Sequence, residues 1–520
     1  MTAQLAPTSD EADDTARLRI RQDGRWQTVA EADVHDLART ATFRVEDWDA
    51  ARDVPYRVTY GYQTAGGRQM DRYEGTVRRA EDNTQLAMLD VLHRWYEFGW
   101  SFGDLMRERP SICLLDDHDV FHANIWGEGG ETIDRYGRIA DGGFYMPPEW
   151  INAIQRAQTA HLPDPHDATP VGAGISVYYT DMLYGRVSFA LLEDRKWKTG
   201  PLDVVETEPD TPDDWIVDPN FDPEDADQPE LTLMGERQLD FLDDWATDWR
   251  GADMKTVISQ TSLAQLPTHH GPRFKRLVAD LDSNGWPQTP RDEALRRMRK
   301  GFSFHLGGDQ HLPMMLRYGI DDWNDAPYNF CVPAVAVGWT RAFWPGEGDT
   351  YEPDRYEDGF DNKMTVYAVA NPERNFRRKP PLAELSDKSS GYGIVRFHKP
   401  SRKITMEAWP ILSDPSDDDA QYDGWPKTVA MRDNYARDAV AHLPEVRVEG
   451  ASDPMIQVID AENDETLYTL RIRGQTFRPK VFREGGRYAV SVGDDAGWRR
   501  TFEGVRPAPD DDRDALTARL

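Results

Sequence analysis

Residues 109–130 read RPSICLLDDHDVFHANIWGEGG, and residues 300–311 read KGFSFHLGGDQH. In each, a short apolar run of the kind that fills a buried strand ends abruptly in acids, imidazoles and an amide. Ser111–Leu115 gives way to Asp116, Asp117, His118 and Asp119, then to His122 and Asn124. Phe302–Leu306 gives way to two glycines, Asp309, Gln310 and His311. Two further runs behave alike: Val187–Leu192 leads to Asp194 and Arg195, and Met254–Ser259 leads to Gln260. In open α/β sheets, sites form outside the carboxyl ends of strands, where loops release side chains into a crevice. Four such ends in one region predict a shared site in an α/β layered domain.

The pattern around these runs supports that class. Helical stretches at Pro148–His161, Gly235–Arg250 and Pro290–Arg299 alternate with the apolar runs. Upstream, Gln85–Arg107 carries Leu86, Leu89, Leu92, Trp95, Phe98 and Leu105 at helical spacing and stops before Pro110. Residues 17–80 hold short alternating segments and read as an N-terminal β-sandwich-like domain, preceded by a disordered tail at 1–16. Residues 81–413 are the α/β domain. Residues 414–508 return to short strands with Gly-containing turns and read as a C-terminal β-domain, followed by an acidic tail at 509–520. The acidic, Pro-rich stretch Glu206–Glu230 reads as a solvated surface loop.

Composition narrows the partners. A chain of 520 residues with 39% hydrophobic residues and 17 tryptophans builds more than one core. The net charge of −31 repels nucleic acid and anionic membrane surfaces, so neither is expected as a partner. It also repels phosphate esters, so a phosphate site here requires local cations. Only 12 of the 61 basic residues are lysine, and an Arg- and Asp-rich surface suits high salt. Cys113 and Cys331 each lie in an apolar run and read as buried thiols. The N-terminus has no signal-peptide pattern, and no run reaches the roughly 18 apolar residues of a membrane span. A cytoplasmic location is the default expectation.

Phosphate-ester hydrolysis needs charge neutralised on the phosphoryl oxygens and a water activated near neutral pH. Metal ions held by carboxylate, amide oxygen and imidazole supply both. Asp309 and His311, two apart, project to the same side if the backbone there is extended. Each cluster alone has a plainer reading. DDHD also reads as a helix N-cap, GGDQH as an acidic turn, Asp194-Arg195 as a salt bridge, and Gln260 as a polar strand end. His269-His270, near Pro267, read as loop residues.

Taken together, Arg109–Gly130 and Lys300–His311 closely resemble the signature of the PhoD-like alkaline phosphatase and phosphodiesterase family: Asp-Asp-His-acid followed by Asn, then Gly-Asp-x-His. Between them LLEDRKW, LMGERQLDFL and DSNGWPQTPRDEAL stand in the family's order, and the resemblance runs from about Phe43 to Leu443. It implies a calcineurin-like α/β sandwich acting as a metal-dependent hydrolase of phosphomonoesters or phosphodiesters. Asp117, Asn124, Asp309 and His311 would be metal-site residues, with Asp116 and Gln260 as additional candidates. His118 would be the acid or phosphate-contacting group, and Arg195 a further phosphate contact. Relatives use calcium, iron or other divalent ions, take phosphate-ester small molecules, and are often exported.

One part of the family pattern is missing. The family places a strand ending in Ser-Cys and another ending in Gly-Asp-x-x-Tyr before the Asp-Asp-His motif. Here the chain passes from the β-domain almost directly into Gln85–Arg107, and no Gly-Asp-x-x-Tyr occurs. The first half of the sandwich is therefore expected to be incomplete, with one metal at most and slow turnover. The competing readings are a non-catalytic or internally truncated relative acting as a binding or scaffold protein, and a β-domain surface protein whose acidic loop and termini bind calcium.

Overall fold

The computed structural model describes all residues except 6–12, 23, 36–38, 46, 47, 49–51, 65, 78–82, 135–140, 203, 206–211, 213, 347, 349, 375–383, 386, 436 and 510–513. For residues 4, 83–87 and 418 it gives the backbone alone. The chain divides into two compact units, Met1–Pro110 and Ser111–Leu520.

The first unit is built on an antiparallel sheet with spatial order Arg25–Asp33, Thr15–Gln22, Val54–Thr64, Gly67–Val77. Period-2 alternation turns Ala16, Leu18, Val58 and Tyr60 inward, where they pack with Ala41 and Phe43. Thr2–Gln4 pairs with Thr40–Thr42, so part of the stretch expected to be a disordered tail is a strand. The middle of that tail, 6–12, lies outside the described residues. Helix α1 (Asn83–Glu108) closes the unit. It forms where its spacing predicts, but no side chain from Met88 to Glu108 is buried, and Trp100 is 80% exposed.

The second unit is built on an eight-stranded mixed sheet. Its spatial order is Arg355–Glu357, Lys363–Val369, Met314–Tyr318, Tyr328–Cys331, Phe304–Gly308, Met254–Thr261, Val187–Leu191, Thr180–Tyr184. The four strands from Tyr328–Cys331 to Val187–Leu191 in this order are parallel, and each reads as a near-continuous apolar run because both faces are covered. Helices α3 (Glu236–Thr247) and α4 (Gln288–Lys300) cover one face through Leu239, Leu242, Trp245, Leu295 and Met298. Helix α2 (Pro148–Thr159) opens on a proline and buries Trp150, Ile151 and Ile154.

The opposite face is covered by strands. Ile404, Met406, Ile456, Val458, Val490 and Val492 join Val187, Met254, Phe304 and Phe330 in one cluster. The residues from 414 onward thus share a core with the central sheet. Arg471 fastens the two layers, donating from Nε to the Ala252 carbonyl (2.6 Å) and from Nη2 to the Trp249 carbonyl (3.0 Å). The overall architecture is mixed α/β.

Three local expectations change. Ser111–Leu115 is not a strand. It lies between side-chain anchors, with the Ser111 carbonyl 2.8 Å from His161 Nε2 and the Leu115 carbonyl accepting from Gln260 Nε2 at 3.1 Å. The acidic tail contains the strand Ala515–Arg519, which runs parallel to Glu445–Glu449 and buries Ala518. The acidic loop is not wholly solvated. Trp215–Ile216 pairs with Ala279–Asp280, Ile216 is buried, and the loop's first acids lie outside the described residues.

Candidate metal centre

Because Val187–Leu191, Met254–Thr261 and Phe304–Gly308 are parallel, their carboxyl ends open on one edge of the sheet. Arg195 follows the first of these ends and is fully buried. Its guanidinium faces three carboxylates. Nε donates to Asp116 Oδ1 at 2.9 Å and Nη1 to Asp282 Oδ1 at 3.1 Å. Nη2 lies 3.1 Å from Asp309 Oδ2 without hydrogen-bond alignment. The neighbouring Asp194 is turned away, accepting at Oδ2 from the Thr261 amide (3.0 Å) and from Asn284 (2.8 Å).

Phe304–Gly308 carries Asp309 and His311 just past its end. Gly307 makes the approach to Met254–Thr261 feasible: a Cβ there would lie 2.6 Å from Ser262 Oγ and 2.9 Å from its backbone nitrogen. Asp309 (φ 61°) and His311 (φ 51°) are both left-handed, so the segment is a turn and not the extended backbone expected from their spacing. Two such non-glycine residues in one site store backbone strain of about 1–3 kcal/mol each. Burial alone would raise the Asp309 carboxyl, but Arg195 and Arg341 outweigh it and hold the group well below the usual range. His311 Nδ1 donates to the Trp339 carbonyl at 2.8 Å, which leaves Nε2 as the lone-pair nitrogen. Burial, then Arg341, lower the imidazole's pKa, which favours the neutral, ligand-competent form.

Asp117 is buried, and its Oδ1 accepts from the His118 amide at 2.7 Å, capping the short 3₁₀ turn His118–Val120. The capping reading and the site reading therefore both describe the same residue. Burial, reinforced by the charge on Asp309, pushes the Asp117 carboxyl up to about 8. Asp116, Asp117 and Asp309 each offer an oxygen within 4.8 Å of the others, and no other such group of three occurs among the described residues. His118 is exposed on the turn. His122 is buried and accepts from the Tyr145 amide at 3.2 Å. Asn124 is half-buried, with its side chain on Asp214. Gln260 is engaged at both ends of its amide, donating to the Leu115 carbonyl and Glu193 and accepting from the Asp194 amide (3.2 Å), which braces the strand ends.

Several members of this constellation escape sequence reading. Asp282 joins Arg195 to Arg341, whose Nη2 is 3.8 Å from Asp282 Oδ2 and whose Nη1 is 3.9 Å from Asp309 Oδ2. His270, expected in a loop, is buried in the short strand His269–His270 opposite Arg341, with Nε2 3.4 Å from Asp280 Oδ2. Asp214 comes from the acidic loop. Burial, with neighbouring carboxylates, raises Asp280 to about 8 and Asp214 to about 6. For Asp280 the available signal was the acid spacing in VADLDSN, and Asp282 also opens the DSNGWPQTPRDEAL stretch, but neither marks a site by periodicity.

The donor set fits a hard divalent cation. Asp116, Asp282 and Asp309 lie against two guanidinium groups and Asp117 adds a fourth carboxylate beside them, so the acids outnumber the guanidinium groups four to two. Asp282 Oδ2 is buried without a hydrogen-bond partner. Largely enclosed carboxylates of this kind need a cation or a proton. A cleft of about 650 Å³ in the second unit is lined by Asn220, Gln265, Thr268, Arg276, Asp358 and others, and none of these four acids borders it. The carboxylate chemistry, not cavity size, marks the site.

No family model and no curated protein matches the chain. A solved structure titled "Structure of PhoD" is similar over 82% of this chain and 85% of its own, with 12% identity and a TM-score of 0.38.

Proposed function

We propose that the chain is a metal-dependent phosphoesterase acting on small phosphate esters. The observation that carries this reading is the approach of Asp116, Asp117 and Asp309 to within 4.8 Å beside the carboxyl ends of the parallel strands. The resemblance of DDHD and GGDQH to the PhoD-like signature supports the same chemistry. The holding residues would be Asp117 and Asp309, with His311 through Nε2 and Asn124 and Asp116 as outer members. A divalent ion bound there would polarise a phosphoryl oxygen and lower the pKa of a bound water. Arg195 fixes the carboxylates in place, and exposed His118 is available as proton donor to a leaving oxygen. With a single carboxylate triad, one ion is expected.

The full chain should bind one equivalent of calcium, manganese or iron and release phosphate from aryl phosphomonoesters or diesters. His311→Ala should lose metal with little change in melting temperature. Failure to bind any divalent ion, together with no hydrolysis of either ester class, would overturn the reading. One observation favours a non-catalytic alternative: Arg195 already partners three carboxylates, an arrangement that also serves as a purely structural hub. Under that alternative, removing His311 changes neither metal content nor any activity.

A further inference from the structure

We infer that Arg341 is the phosphate-gripping residue of this site, an inference that rests on the phosphoesterase reading and adds the group that holds the anion. Arg341 is 7% exposed, and its Nε and Nη1 are buried with no hydrogen-bond partner. The nearest carboxylate oxygens, on Asp282 and Asp309, are 3.8 and 3.9 Å away, too far for hydrogen bonds. Buried donors on a charged group left unmade are costly, so the arrangement is complete only when an acceptor arrives. That acceptor has to be anionic, compact and able to meet one edge of the guanidinium in a plane, Nε–H with Nη2–H or Nη1–H with Nη2–H, which describes a phosphoryl group. A carboxylate ligand meets the same geometric demand, but the adjacent acids, which would hold a cation on the phosphoesterase reading, favour a phosphoryl group.

The position of Arg341 is fixed by the fold. It begins the strand Arg341–Ala342, pairs directly opposite His270, and stands two residues after Trp339, whose carbonyl orients His311. A phosphoryl group meeting Arg341 would therefore lie beside Asp309 and His311. The contrast with Arg195 is informative. Arg195 hydrogen-bonds Asp116 and Asp282 and is engaged as a structural cation, whereas Arg341 keeps two donors open. On this geometry Arg195, which the PhoD-like resemblance makes a phosphate contact, holds the acids, and Arg341 holds the substrate.

The test is calorimetric titration of inorganic phosphate into the full chain with and without manganese, repeated on Arg341→Met and Arg341→Lys, with bound manganese measured in each sample. Arg341→Met should weaken phosphate binding about tenfold or more, the loss of a charge-assisted hydrogen-bonded pair, while keeping its manganese. Arg341→Lys should fall between the two, because one ammonium cannot reproduce the planar pair. If Arg341→Met fails to fold, the lysine variant carries the test by the same criterion. Phosphate affinity unchanged in the folded variants, or a manganese-loaded wild type that does not bind phosphate, overturns the assignment. Phosphate binding that depends on Arg341 in a protein that takes up no manganese upholds it and rejects the metal reading instead.

Discussion

Arg195 shows how much a single buried side chain carries here. Removing it strands Asp116, Asp282 and Asp309 near one another without their main counter-charge. Arg195→Met should destabilise the second unit by about 3–5 kcal/mol, the cost of breaking a buried ion pair. Millimolar manganese should restore part of the lost melting temperature, since a cation can take over the neutralising role. Equal melting curves with and without metal would show that the acids do not form a cation site. Lys255 offers a second residue-scale test away from the site. It is fully buried, donates from Nζ to the Trp245 carbonyl, and lies 4.2 Å from the Trp245 ring centroid. Burial lowers its pKa to about 7, whereas the unfolded chain keeps that proton to about 10.4. Between those values the unfolded state binds more protons, so stability rises with pH through the window and is lost as pH falls through about 7. Lys255→Met should remove this slope, worth up to about 1.4 kcal/mol per pH unit, from urea titrations at successive pH values. Of the candidate residues, Asp116, Asp117, Asp309 and Arg195 were legible because each lies within three residues of the end of an apolar run. Arg341, His270, Asp280 and Asp282 were not, because tertiary packing brings them in from short bridges and turns without a periodic pattern.

At the scale of elements, spacing located the helices to within a few residues. The Gly235–Arg250 pattern became Glu236–Thr247, and Pro290–Arg299 became Gln288–Lys300. The strands before Asp194, Gln260 and Asp309 were equally legible, since doubly covered parallel strands are apolar throughout. Ser111–Leu115 failed because apolar character shows burial tendency but not the presence of a neighbouring strand. Helix α1 presents the reverse case: its stripe predicted a core that the described residues do not supply. Most helical stability in proteins comes from packing an amphipathic face, so a helix without that cover opens readily. Amide exchange in Asn83–Glu108 should therefore be faster by orders of magnitude than in Met254–Thr261, as hydrogen-exchange mass spectrometry would report. Comparable protection in the two segments would mean that α1 is covered in solution.

For the whole molecule, charge is the dominant compositional fact that the fold does not cancel. A net −31 stores self-repulsion in the compact state. Raising sodium chloride from about 0.1 M to about 1 M shortens the screening length from about 10 Å to about 3 Å. The melting temperature should rise by several degrees over that range, and a flat or falling curve would show that local ion pairs already balance the field. The mixed α/β class was legible from alternation, but the sharing of one core by the central sheet and the C-terminal strands was not. Period-2 patterning shows that a strand has an inner face and does not identify what that face meets.

That shared core also has a consequence for synthesis. Val187, Met254, Phe304 and Phe330 leave the ribosome well before Ile456, Val490 and Val492, which cover them in the finished protein. The chain emerges amino end first, so the sheet is made with one greasy side bare and waits for its lid to be translated. During that interval the nascent protein is the kind of client that chaperones hold, and slowing translation beyond Phe330 should lengthen its stay with them.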